Sequence, residues 1–122
     1  MNAQILAENC RGLRTAFPNV LLIGADARHD RALAELLDTS RPPVWHCDGA
    51  RFALPAESVG TLLLRNPTSL RAGEQRALLN WATNHVTVQI ITVTPTPLYP
   101  LVQAATFLDD LYYWLNVVTL TD

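Results

Sequence analysis

The sequence predicts a layered α/β fold in which a mostly parallel β-sheet is covered by helices on both faces. Two observations carry that expectation. Short apolar or β-branched runs alternate along the chain with segments whose apolar residues recur at helical spacing, and strands that alternate with helices build such sheets. The 122 residues are 49% hydrophobic, enough for the core of one small domain.

Taken in order, Asn2 to Arg14 places Ile5, Leu6, Cys10 and Leu13 at helical spacing, and Pro18 marks the end of a helix expected within residues 1–16. Val20–Gly24 (VLLIG) is a fully buried strand by pattern. A helix starting at Asp26 or His29 follows through Leu33, Leu36 and Leu37 and closes at Asp38-Thr39-Ser40, ahead of Pro42-Pro43. Val44–Cys47 and Gly60–Leu64 read as the second and third strands. Ser69 is placed to cap a helix bearing Leu70, Ala77, Leu78 and Trp81, with Glu74 in its early turns. The β-branched run Val86–Thr94 is a fourth strand, ended by the proline cluster PTPLYP. Leu101 to Leu115 reads as one or two helices and Asn116–Leu120 as a last strand. Ligands of such sheets bind beyond the C-terminal ends of the strands, which sets Gly24–Arg28, Arg65–Asn66 and Thr94–Pro95 along one edge.

Composition excludes several chemistries. All nine basic residues are arginine, so a phosphate-loop lysine, a Schiff-base lysine and a lysine general base are ruled out. The net charge of −2 and the scattered arginines give no footprint for nucleic acid, and direct DNA binding is not expected. No apolar run approaches the ~20 residues that span a bilayer, and the N-terminus lacks the apolar core of a signal peptide, so the expectation is a cytoplasmic chain without membrane partners.

Cys10 and Cys47 lack C-x-x-C spacing and read as two reduced thiols packed as small hydrophobes. His29, His46 and His85 come from separate segments without helical spacing, so no metal site is expected. No G-x-S-x-G elbow exposes a serine nucleophile. The polar cluster Asp26, Arg28, His29, Asp30 and Arg31 is either a solvated turn with Asp26 as helix cap or a remodelled site for a small ligand or partner.

Residues Gly60–Ala82 (GTLLLRNPTSLRAGEQRALLNWA) and Phe107–Leu120 (FLDDLYYWLNVVTL), read with the three edge segments, resemble the AAA+ ATPase domain of sigma-54-dependent transcriptional activators. The terminal segment is the most specific part. The family motif F-R-x-D-L-Y-Y-R-L-N-V-V is matched at Phe107, Asp110, Leu111, Tyr112, Tyr113, Leu115, Asn116, Val117 and Val118. The resemblance covers about residues 18–120 and implies the P-loop NTPase core, a three-layer fold around a five-stranded sheet of order 5-1-4-3-2. The whole chain, 1–122, then reads as a single minimal domain of this type.

The departures from the family are concentrated where ATP is held and cleaved. Aligned on Gly24, the phosphate loop G-E-x-G-T-G-K-E has Asp30 at its lysine and Arg31 beside it, while Ala27 and His29 replace its middle glycines. A carboxylate at Asp30 repels a triphosphate at close range. The Walker B acids, which the family uses toward Mg²⁺ and the attacking water, are replaced by Arg65 and Asn66. The sensor position reads Thr94-Pro95, and the two arginines of the terminal motif, thought to reach a neighbouring subunit's γ-phosphate, are Leu108 and Trp114.

Between the second and third strands only Asp48 to Val59 stands where the family inserts its GAFTGA-bearing loop, and no lid domain is expected, so neither a sigma-54 contact nor lid-coupled work carries over. The expectation is a catalytically inactive domain with no catalytic residue and no bound cofactor, acting in regulation through a protein partner or self-association. Leu108, Tyr112 and Trp114 are the candidate interface, because leucine and tryptophan turn a charged contact into an apolar one; the alternative places some of these side chains in the core. A second expectation is a weak nucleotide or anion sensor at Arg28, Arg31 and Arg65, with Arg28 and Arg65 as candidate contacts.

Overall fold

The computed structural model describes residues 17–24 and 27–121, with the backbone alone at 27–29. The helix expected over residues 1–16 lies outside them, as do Asp26 and Cys10. Five strands, β1 (Val20–Ile23), β2 (Val44–Asp48), β3 (Thr61–Arg65), β4 (Gln89–Thr94) and β5 (Val118–Thr121), form one sheet of order β2-β3-β4-β1-β5. Every neighbouring pair is parallel, and the order is the expected 5-1-4-3-2 read from the other edge. The helices are α1 (Ala27–Asp38), α2 (Ala72–Thr83), α3 (Tyr99–Gln103) and α4 (Asp109–Leu115).

Side chains alternate across each strand, so the sheet divides the apolar residues into two cores. Leu21, Cys47, Leu62, Leu64 and Ile90 pack beneath Leu78 and Ala82 of α2 and Leu111 and Leu115 of α4. On the opposite face Val20, Leu22, Leu63, Ile91 and Leu120 pack beneath Ala32, Leu33 and Leu36 of α1. Leu62, Leu63 and Leu64 are each 0% exposed, as a strand covered on both faces requires, and each such side chain contributes roughly 1.5–3 kcal/mol of burial.

Several boundaries differ from the sequence expectation for identifiable reasons. Ser69 does not cap α2: it ends a 3-10 turn begun at Pro67, with its N–H bonded to the Asn66 carbonyl at 3.0 Å. The helix starts after Arg71, whose N–H donates to Glu74 Oε1 at 2.8 Å, so the early-turn carboxylate rather than the serine satisfies the exposed helix end. The fourth strand begins at Gln89, because residues 84–88 turn the chain from α2 onto the sheet and leave Val86 71% exposed despite its strand propensity. The segment from Leu101 to Leu115 is split into two helices at Ala105, which adopts φ 60°, while the Thr106 and Phe107 N–H groups close back on the Leu101 carbonyl.

Candidate functional site

The parallel register brings the three expected segments to one edge. Asp48, Arg65, Val93 and Leu22 lie in one row across β2, β3, β4 and β1, and Ile23 pairs with Thr94 one residue further on. Gly24 follows with φ 141°, and its N–H donates to the Thr94 carbonyl at 3.0 Å, tying the end of β1 to the end of β4. A positive φ of this size is accessible to glycine and strained for other residues.

Helix α1 is already under way at Ala27. Ala27 and His29, the positions set against the family's loop glycines, are therefore helical and lie in its first turn, where backbone N–H groups have no acceptor within the helix. Asp30 is exposed in the first turn of α1, where a carboxylate complements the helix dipole, and Arg31 is exposed beside it. The backbone of Arg28 is helical, while its side chain lies outside the described residues.

Arg65 ends β3 with its side chain exposed on the α1 face, since Leu62 and Leu64 face α2 and Leu63 faces α1. Asn66 turns the chain with φ 52° and ψ 52°, and its side-chain amide donates to Asp48 Oδ1 at 3.0 Å. The same oxygen accepts the Ala50 N–H at 2.9 Å, and the Gly49 N–H donates to the Arg65 carbonyl at 2.8 Å. Asp48 thus clasps the ends of β2 and β3. Its carboxyl is held below the usual range by the Asn66 amide first and the Ala50 N–H second, with Arg51 and Arg65 adding a smaller pull. Sequence reasoning missed Asp48, and its one available signal was an acid directly followed by glycine at a strand end.

At the sensor position the Thr94 hydroxyl donates to the Thr96 carbonyl at 2.8 Å and accepts the Thr96 N–H, closing a local turn that fully engages it. An open cleft of about 520 Å³ lies nearby between Thr68, Thr96, Pro97, Leu101 and Phe107. Among the described residues no three His, Cys, Asp or Glu side chains stand close enough to share a metal ion. Cys47 is buried and burial pushes its thiol up, opposed by a hydrogen bond with the Ala53 backbone.

The terminal helix presents different chemistry. Leu108, Tyr112 and Trp114 are each half-buried and packed against the larger core. The Leu108 N–H donates to Gln75 Oε1 at 2.8 Å, and the Gln75 amide donates to the carbonyls of Leu70 and Thr106 at 3.1 Å each. Gln75 is 3% exposed and is the polar pin between α2 and the loop before α4. Tyr112 packs between Tyr99 and Tyr113 at 5.7 and 5.5 Å between ring centroids, and Tyr113 is 63% exposed. Trp114 lines a second cleft, of about 510 Å³, with Arg76, Leu79, Asn80, Thr83 and Asp110. The candidate interface residues Leu108, Tyr112 and Trp114 therefore sit at the margin of the core, and the neighbouring Tyr113 faces solvent.

No protein-family model and no curated protein matches the chain. Solved structures do. The structure of NtrX from Brucella abortus in complex with ATP superposes with a TM-score of 0.79 at 16% identity, covering 97% of this chain and 34% of that one. Another NtrX structure from the same organism gives 0.77 at 15% identity, covering 97% of this chain and 36% of that one. The P-loop NTPase domain of the sigma-54 transport activator from E. coli gives 0.68 at 15% identity, covering 99% of this chain and 96% of that domain. The chain spans about a third of the length of NtrX and nearly all of the E. coli domain. These likenesses establish the fold: the chain is built as the P-loop NTPase domains of sigma-54 activators are.

Proposed function

We propose that this P-loop NTPase fold serves here as a catalytically inactive protein-interaction or regulatory module, in bacterial transcription regulation or signalling. The observation that carries the reading is the edge itself, where Asp30 stands exposed in the first turn of α1 at the position of the family's phosphate-loop lysine. Arg65 and Asn66 stand in place of the Walker B acids, and Asn66 is engaged with Asp48 in holding the strand ends together. NtrX from Brucella abortus, which shares this fold over about a third of its length, has been crystallised in complex with ATP and with ADP. A phosphate-release assay at saturating Mg-ATP tests the reading. It predicts no turnover above a protein-free control, and sustained turnover that tracks protein concentration overturns it.

The exposure of Arg65 at this edge favours one second reading, a weak nucleotide or anion sensor using Arg28, Arg31 and Arg65. That reading predicts a rise in Tm with millimolar ATP, ADP or inorganic phosphate, lost in Arg65→Ala. A Tm unchanged by all three removes it.

A further inference from the structure

Asp48 is followed by Gly49, the one Asp-Gly pair in the sequence, and Asn-Gly does not occur. This pair has a chemistry of its own. Glycine carries no side chain to shield its amide nitrogen, which leaves the aspartate Cγ open to attack by it. The N–Cγ bond forms, the amide proton and the carboxyl hydroxyl leave together as water, and a five-membered succinimide remains. Water then opens the ring at either carbonyl. One opening restores aspartate, and the other gives isoaspartate, whose main chain runs through Cβ and Cγ. The steps release one water and consume one, so no further reactant is needed.

In the folded chain both reacting groups are held elsewhere. The Gly49 N–H donates to the Arg65 carbonyl at 2.8 Å, which continues the β2–β3 ladder beyond Asp48 and fixes the plane of the peptide between the two residues. The Asp48 carboxylate is fixed through Oδ1, which accepts the Ala50 N–H at 2.9 Å and the Asn66 amide at 3.0 Å. These two donors also favour the ionised carboxylate, which has no hydroxyl to release and is the poorer electrophile. The Asn66 carbonyl lies against Gly49 as well, so one residue covers both halves of the pair. Gly49 is buried beneath it, and Asp48 is half-buried.

We propose that Asp48 and Gly49 form a latent site of succinimide formation and aspartate isomerisation, kept closed by Asn66 and the Arg65 carbonyl. The pair reacts when the ends of β2 and β3 part, a local opening that frees the Gly49 amide and the Asp48 carboxyl together. Isoaspartate lengthens the main chain by one carbon, so the residues after it no longer meet Arg65 in the original register. The edge thereby keeps a covalent record of having opened.

Incubation of the full chain at about pH 6 tests this, with isoaspartate at residue 48 measured by peptide mass spectrometry using electron-transfer fragmentation, which separates it from aspartate of equal mass. The samples are the folded wild type, the wild type unfolded in urea, and Asn66→Gly. Glycine accepts the φ of 52° found at this position, so the variant removes the side-chain amide and leaves the turn at ease. The unfolded chain is expected to form isoaspartate at residue 48 ahead of every other aspartate, and the folded wild type to do so roughly tenfold more slowly or less. Asn66→Gly is expected to react several-fold faster than the folded wild type. Asn66→Asp, which sets an acceptor in place of the donor, provides a second lesion should Asn66→Gly lose its fold by circular dichroism. A folded wild type that isomerises at residue 48 as fast as the unfolded chain overturns the proposal, and so does a folded variant no faster than the wild type.

Discussion

Gly49 lies beneath the carbonyl of Asn66, and a Cβ built there would stand 1.9 Å from that oxygen. That oxygen belongs to the backbone of the clasped strand ends, so it has little room to yield. Gly49→Ala is expected to cost on the order of 2–4 kcal/mol in urea unfolding. Gly73, in the first turn of α2, has nothing within 4 Å of its added Cβ, and Gly73→Ala is expected to raise stability by about 0.5–1 kcal/mol through helix propensity. Equal effects at the two positions would contradict the close approach at Asn66. Asp48 gives a pH signature at the same clasp. Its carboxyl is held low in the folded state, chiefly by the Asn66 amide, so its ionised form stabilises the fold above the ordinary carboxylate range and that contribution disappears as pH falls through the folded value. The gap in Tm between wild type and Asp48→Asn is expected to hold steady from pH 7 to about pH 5 and to shrink below about pH 4. A gap independent of pH would assign the effect to something other than the charge.

The elements were legible in the sequence to the extent that they follow from periodicity. The apolar run Val20–Ile23 and the helix through Leu33 and Leu36 are set by local spacing, and both form as expected. The fourth and fifth strands and the helical region after the proline cluster were placed correctly in kind, and their ends moved by a few residues where turns took over. The polar pins were not legible. Gln75 reaches Thr106, 31 residues away, and Asn19 donates to the Trp114 carbonyl, 95 residues away, and no local pattern announces either bond. Asn19 also accepts the Ile90 N–H at 2.7 Å, so one asparagine joins the start of β1 to β4 and to the end of α4. At the candidate site the residue types at Asp30, Arg65 and Asn66 could be read directly, whereas the role of Asn66 required its partner Asp48 to be seen. Gln75→Leu would leave the Leu70 and Thr106 carbonyls and the Leu108 N–H without their partner. A loss of about 2–4 kcal/mol is expected, read as a lower urea midpoint, and α4 should detach first in hydrogen exchange. Uniform loss of protection across the sheet and α4 would contradict the role of Gln75 as a local pin.

Across the whole molecule, a five-stranded parallel sheet is covered by helices on both faces, and at the edge where such folds bind ligands several polar groups hold one another. The Gly24 amide binds Thr94, Thr94 binds Thr96, and Asn66 binds Asp48. Those groups hold strand ends and turns in place, and the charge that remains exposed there is chiefly arginine. We propose that the sheet serves as a scaffold without nucleotide chemistry. Calorimetric titration of Mg-ATP and Mg-ADP into the wild type and Arg65→Ala tests this most directly. The account predicts no saturable heat at millimolar nucleotide in either protein. Saturable binding in the wild type that disappears in Arg65→Ala would contradict it, and would make Arg65 the anchor of a rebuilt nucleotide site.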